Sequence, residues 1–257
     1  MKIVKIGGNV IDNEQMLDAF CRDFAALEGP KVLIHGGGAM AGRVCESLGI
    51  PVTKIEGRRV TDAKTLDVVT MVYAGLCNKK ICALLQKYGC NAIGLSGCDG
   101  SVITAKKRPP IEAGGSMVDF GFVGDVTPAS VNASLINKLL EDGLVPVFSA
   151  INHNGEGVLL NTNADTMASS IAAALKGELI ICFEKNGVLM DKDDDNSVIP
   201  SVTADSFEKL KDQHIIADGM LPKLANAFKA LRNGATKVTI KNSAALLDEC
   251  GTTITLQ

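Results

Sequence analysis

Residues 1–9, MKIVKIGGN, and 31–39, KVLIHGGGA, decide how this chain is read. Each is a short apolar, β-type run that ends in glycine and is followed by a helical pattern. Glycines there let backbone N–H groups approach an anion with no Cβ in the way, and the next helix N-terminus adds positive potential. Two such cradles early in one domain suggest two anionic ligands brought face to face, with Lys5 pointing at the gap. That geometry suits group transfer.

Outward from these turns, strand-like and helix-like runs alternate. Strands are expected at 2–6, 31–35, 91–95, 144–149, 157–160, 178–183, 236–241 and 252–256. Helices are expected near 12–27, 38–48, 63–87, 128–141, 164–175, 204–211, 218–233 and 243–249. From Gly97 to Val126 the glycine-rich, β-branched pattern reads as hairpins forming a lid or platform. The alternation argues for an α/β fold whose mostly parallel sheet is covered on both faces. The best lobe boundary is Lys176-Gly177, giving lobes 1–176 and 177–257.

The 257 residues are 46% apolar, enough to bury a full core. A net charge of −3 gives no basic stripe for a phosphate backbone, and a chain with no Trp and two Tyr is poor in base-stacking platforms. No nucleic-acid partner is expected. No apolar run reads as a membrane span and no signal segment precedes the first strand, so a cytoplasmic protein without a membrane partner is expected. The eight cysteines contain no C-x-x-C pair and sit mostly in apolar or helical surroundings. Reduced core thiols are therefore expected, not zinc or disulfides.

Several residues carry candidate chemistry. Lys5 in an otherwise apolar strand is costly to bury without an anion; its alternatives are contact with phosphate or escape to solvent at the sheet edge. HGGGA admits a loose dinucleotide fingerprint, an esterase oxyanion loop, a plain turn, or a carboxylate or phosphate cradle. No G-x-S-x-G supports the esterase reading, and the cradle is preferred. Arg58-Arg59 could grip a carboxylate with paired hydrogen bonds or lie in solvent. In NTNAD (161–165), Asn163 or Asp165 could simply cap a helix. Lys223 sits in a helical pattern, and spacing alone does not single it out. The acidic run DKDDDN (191–196) lacks calcium-loop spacing and reads as an exposed turn.

Taken in order, KIGGN (5–9), HGGGA (35–39), GRRVTD (57–62), DFGFVGDV (119–126), NTNAD (161–165) and ADGMLPK (217–223) resemble the motif set of the amino acid kinase family. The likeness spans nearly the whole chain and is nearest to the branch that phosphorylates N-acylated glutamate in arginine biosynthesis. It implies a three-layer αβα sandwich around a mainly parallel, eight-stranded open sheet. The first lobe would bind the acyl amino acid and form a homodimer contact, and the second would bind ATP. Lys5 and Lys223 would stabilise the transferring phosphoryl group, with Asp165 holding both lysines. Gly37, Gly38, Arg59 and Asn161 would bind N-acylglutamate. Gly7 and Gly8 would lie against the phosphates. Glu184, Lys185, Asn186, Gly187, Val188 and Leu189, with Ile215, Ile216 and Ala217, would line the nucleotide site. Mg²⁺ would ride on ATP, and no protein metal ligand is named.

The residue types suit that chemistry independently. A γ-carboxylate is ionised at neutral pH and needs no base, so Asp165 has a positional task. The obstacle is repulsion between two anions, which lysines and glycine N–H groups offset. Two departures stand out. Phe183-Glu184-Lys185-Asn186-Gly187 replaces the T-D-V-x-G usual in relatives. Arg58 replaces a Leu or Met beside the acyl methyl group, which suits an acyl group ending in carboxylate, such as N-succinyl-L-glutamate. The chain also starts at its first strand, without the extra N-terminal helix of hexameric, arginine-regulated relatives, so a dimer lacking that feedback is expected. Rival readings are kinases for N-acyl-aminoadipate, carbamate or aspartate, a silent amino acid and nucleotide sensor, and an NAD-linked oxidoreductase.

Overall fold

One row of side chains across the central sheet explains where the site forms. Parallel register aligns Leu95, Phe148, Ile34, Lys5, Ile181 and Ile240 on neighbouring strands, and paired residues face the same side. Lys5 alone is charged in that row. The sheet belongs to a computed structural model that describes residues 1–55, 58–216 and 219–257.

Its strands are β1 (Lys2–Ile6), β2 (Lys31–His35), β3 (Ala92–Leu95), β4 (Val145–Ser149), β5 (Glu178–Phe183), β6 (Ser201–Val202), β7 (Lys237–Asn242) and β8 (Thr252–Ile254). They lie in the order β6-β8-β7-β5-β1-β2-β4-β3. The six from β7 to β3 are mutually parallel; β8 runs against β7, and β6 follows β8. The mainly parallel eight-stranded sheet is thus as expected, and its central strands are apolar because both faces are covered. The edge strand β6 was not foreseen: two residues carry too little pattern.

The helices are α1 (Gly8–Asp12), α2 (Glu14–Ala26), α3 (Gly38–Ser47), α4 (Ala63–Thr70), α5 (Asn78–Lys87), α6 (Ala133–Glu141), α7 (Ala164–Ala174), α8 (Ala204–Asp212) and α9 (Met220–Arg232). Asp165 of α7 reaches Lys5, so α7 covers the Lys5 face, and α9 packs on α7. Asn78 of α5 reaches His35, whose side chain leaves β2 on the opposite side from Ile34. The α5 and α2 pair therefore forms the other layer.

The long helix expected at 63–87 is continuous, but its middle, Met71–Cys77, is wound as a π-helix. By length and composition Ala63–Lys87 is apolar enough to cross a membrane, contrary to the expectation that no such run exists. Half of its most apolar stretch is buried inside the fold, which is how a core helix satisfies that pattern. The helix expected at 243–249 is only a 3₁₀ turn, Ser243–Ala245. Asn242 caps it through Oδ1, and the buried Lys241 ammonium draws in the carbonyls of Leu246 and Asp248, which a longer helix would have kept. The 97–126 region does form short antiparallel ribbons, Lys106–Lys107 with Gly124–Asp125 and Ile111–Ala113 with Ser116–Val118. All eight cysteines are free thiols.

Candidate active site

Every parallel strand that matters ends at the same edge, where ligands of open α/β sheets bind. There Gly7 follows β1, Gly36–Gly38 follow β2, Glu184–Gly187 follow β5 and Asn242 closes β7. Lys5 is 6% exposed, and its Nζ lies 2.7 Å from Asp165 Oδ1. Opposite charge at this distance holds the pair. Lys223 Nζ approaches the other oxygen at 3.7 Å. Asp165 thus bridges two ammonium groups from opposite ends of the chain.

The helices explain the placement. Asn163, not Asp165, caps α7 by accepting from the Thr166 amide, which frees Asp165 to turn toward the sheet. In the first turn of α7 its negative charge also suits the helix dipole. Thr166 and Ser169 hydrogen-bond Asn226 Oδ1 and the Asn226 carbonyl, which fixes α9 and sets Lys223, one turn earlier, opposite Asp165. Burial pushes the Asp165 carboxyl up, but the Lys5 and Lys223 charges together outweigh it and hold the group below its ordinary value of 3.8. It stays ionised, which suits an anchor and not a base.

Across the cleft, Gly37 precedes α3 with no side-chain cap, leaving the first amides of that helix available to an anion. A Cβ on Gly37 would lie 2.9 Å from the Tyr73 ring and 3.1 Å from Cys77 Sγ, so only glycine fits. Arg59 donates from Nη2 to the Gly38 carbonyl at 2.7 Å, while its buried Nη1 has no partner among the described residues. Asn161 donates to the fully buried Thr61 hydroxyl at 3.1 Å. Arg58 is exposed, on the strand residue facing away from Arg59.

His35 locks this loop from below. Its Nδ1–H donates to the Gly36 carbonyl at 2.7 Å, and its Nε2 accepts from Asn78 Nδ2 at 3.0 Å. Full burial drives its pKa down from 6.5 to about 4, so the imidazole is neutral and has no proton-transfer task. The unfolded chain binds this proton more readily, so the contribution of neutral His35 is complete above pH 6.5 and is lost as pH falls toward about 4. Urea midpoints between pH 7.5 and 4.5 should show a loss on the order of 3 kcal/mol that His35→Gln lacks. Parallel curves for the two proteins would contradict it.

On the nucleotide side, the FEKNG departure is internally paired. Asn9 donates to Glu184 Oε1 at 2.8 Å, joining the first glycine turn to the loop after β5. Lys185 pairs with Asp195 at 2.8 Å, and Asn186 donates to the Asp195 carbonyl, so the acidic turn braces this loop. Gly187 lies against Thr252, whose hydroxyl accepts from the Val188 amide. Val188, Leu189 and Ile216 are buried, and Ile215 is half-buried. Ala217 lies outside the described residues. Gly7 donates to the Cys182 carbonyl, and Gly8 opens α1 beside free space.

Residues 1–242 match the sequence profile of the amino acid kinase family. The chain belongs to that family. It is 48% identical to an acetylglutamate kinase of Bacteroides thetaiotaomicron over 99% of this chain and 98% of that protein. An acetylglutamate kinase of Methanopyrus kandleri is 39% identical over 99% and 100% of the two chains. Among solved structures, N-acetylglutamate synthase from Neisseria gonorrhoeae, complexed with coenzyme A and N-acetyl-glutamate, superposes with TM-score 0.83 at 22% identity; the present chain is covered fully but spans 59% of that protein. Carbamate kinase from Giardia gives TM-score 0.71 at 13% identity, covering 100% and 98%. At those identities the structures share the fold.

Within this amino acid kinase, sequence reasoning overlooked Asn9, Asn242 and Tyr73. Asn9 was visible inside GGN, but nothing local marked Glu184 as its partner. Asn242 donates to the Glu184 carbonyl and to Asn186 Oδ1, links that span 58 and 56 residues. The hydrolase alternative fails on geometry. Ser101 Oγ lies 3.0 Å from His153 Nε2, but His153 Nδ1 accepts from the Gly155 amide. The proton therefore sits on Nε2, which cannot take one from the serine.

Proposed function

We propose that the chain transfers the γ-phosphoryl group of ATP to the γ-carboxylate of an N-acyl-L-glutamate, with N-acetyl-L-glutamate as acceptor, giving the acyl phosphate and ADP in arginine biosynthesis. The single observation that carries this is Asp165 bridging Lys5 and Lys223. A sensor or dehydrogenase has no use for two ammonium groups converging at the sheet edge, whereas phosphoryl transfer between two anions does. The acetylglutamate kinases similar along nearly the whole chain support the same acceptor.

In this mechanism the carboxylate attacks phosphorus directly and no proton is abstracted. Lys5, between the two glycine cradles, meets the transferring phosphoryl oxygens, and Lys223 meets them from the opposite side. Asp165 keeps both in place. Arg59 Nη1 and Asn161 take the α-carboxylate, and the Gly37 and Gly38 amides take oxygens of the acyl amino acid. Gly7 and Gly8 lie along the phosphates, with Glu184–Leu189, Ile215 and Ile216 around the nucleotide. Mg²⁺, when bound with ATP, neutralises phosphate charge.

Lobes 1–176 and 177–257 divide this labour between acyl amino acid and nucleotide. A cytoplasmic homodimer fits the exposed Met71 and Leu76 on the π-wound helix segment; light scattering at a single-chain mass would refute it. Hydroxylamine trapping with ATP–Mg²⁺ tests the reaction. Hydroxamate should form with N-acyl-L-glutamates and not with N-acyl-aminoadipate or carbamate; the reverse pattern overturns the assignment.

Arg58 favours a second reading of the acyl group. It is exposed on the strand side opposite Arg59, and among the described residues it has no acidic partner. This reading therefore requires an acyl chain long enough to pass Arg59 and bring its terminal carboxylate round to Arg58. On that reading kcat/KM is higher for N-succinyl-L-glutamate, and Arg58→Leu shifts preference toward acetyl by about tenfold, the size of one charge-assisted hydrogen bond. Equal or better acetyl activity in the parent chain would end it.

A further inference from the structure

Tyr73 is a largely buried tyrosine whose hydroxyl end lies at the glycine loop. It is 6% exposed, and among the described residues its hydroxyl makes no hydrogen bond with the protein. Buried tyrosine hydroxyls usually find a partner, because leaving one unmet costs free energy. The side chain is also closely placed. Its ring lies under Gly37, and its hydroxyl lies 3.5 Å from where a Cβ on Gly38 would stand. Arg59 grips the carbonyl of that same Gly38, and among the described residues Arg59 Nη1 is without a partner. The buried Arg59 Nη1 and the Tyr73 hydroxyl therefore flank one residue of the glycine loop, neither with a hydrogen bond among the described residues.

The backbone beneath Tyr73 gives a second reason. Tyr73 belongs to the π-helical segment Met71–Cys77, and π-turns within α-helices recur at functional sites. The wide turn brings both Tyr73 and Cys77 against Gly37, which regular α-helical spacing of four residues also permits; what differs is that the segment departs from α geometry where it meets the loop. Burial pushes the phenol pKa up to about 12, so it remains a neutral donor at physiological pH.

We propose that the Tyr73 hydroxyl is a substrate-contacting group that donates a hydrogen bond to the carboxylate held by Arg59. This rests on the N-acylglutamate reading of the same site and adds a specificity-determining residue to it. The acceptor must be an anionic or carbonyl oxygen lying over Gly38, where the proposed function puts the α-carboxylate.

Isothermal calorimetry without nucleotide tests this apart from turnover. N-acetyl-L-glutamate and N-succinyl-L-glutamate are titrated into the intact protein and into Tyr73→Phe, which keeps the ring under Gly37. The better-bound compound should bind the variant at least tenfold more weakly, the effect of one hydrogen bond to a charged group. ATP–Mg²⁺ affinity and Tm should stay at their parent values. Undiminished binding of the acylated glutamate overturns the proposal, as does an equal loss of ATP–Mg²⁺ affinity, which would mark general disruption. Should Tyr73→Phe fail to fold, Tyr73→His, which retains a ring and a donor, must bind within threefold of the parent, and weaker binding counts against the proposal. A parent chain that binds neither acylated glutamate removes both the reading and the proposal, a result distinct from intact binding in the Phe variant.

Discussion

Lys5→Met lowers kcat by on the order of 100- to 1,000-fold, the cost of removing one preorganised group that meets charge developing in the transition state. Methionine preserves length and apolar bulk in a row that is otherwise Leu95, Phe148, Ile34, Ile181 and Ile240, so the sheet keeps its packing. The variant also leaves Asp165 with Lys223 alone at 3.7 Å. Because the lost contact is made chiefly as phosphorus changes hands, KM for the acyl acceptor should move much less than kcat. Single-turnover acyl phosphate formation measures the step directly. A variant within tenfold of the parent would place the transition-state charge elsewhere.

The value of that test follows from how Lys5 is buried. An ammonium in an apolar row is sustained by its partner, and the sequence displayed the lysine without displaying the partner. Asp165 stands 160 positions later, in a stretch where helix capping accounts equally well for an acid. What distinguished the two was Asn163 accepting the Thr166 amide, a local hydrogen bond invisible in composition. Lys223 was harder still, since a lysine on a helix is ordinarily solvated. Its placement depends on α9 packing against α7 through Thr166, Ser169 and Asn226. Glycine turns, by contrast, were legible because they follow apolar runs whose period is short and strong. The terminal helix expected at 243–249 misled because its apolar spacing continues past Ala245, while Lys241, buried in β7, competes for the carbonyls. The membrane-length apolarity of Ala63–Lys87 was underestimated for a related reason: alternating small and polar residues disguise a helix that is wet on one side and packed on the other.

Asp165→Ala should be the most destabilising single change in the site, costing about 3–5 kcal/mol, because it strands two ammonium groups that share one buried counter-charge. The side chains concerned are 7% and 21% exposed for Lys5 and Lys223, so water recovers little of what the carboxylate supplied. For a chain of this size that corresponds to a fall in Tm of roughly 10 °C. Activity should fall with it, since each lysine loses the group that aims it. Asp165→Asn keeps the shape and removes the charge, so it should lie close to Ala in activity but closer to the parent in packing. The decisive comparison is the pair Asp165→Ala with Lys5→Met. If the ion pair is the cause, removing both partners is less costly than the sum of the two single changes, as coupled neighbours require. Additive losses would instead assign the effect to packing around α7, and the charge-bridging role of Asp165 would fall.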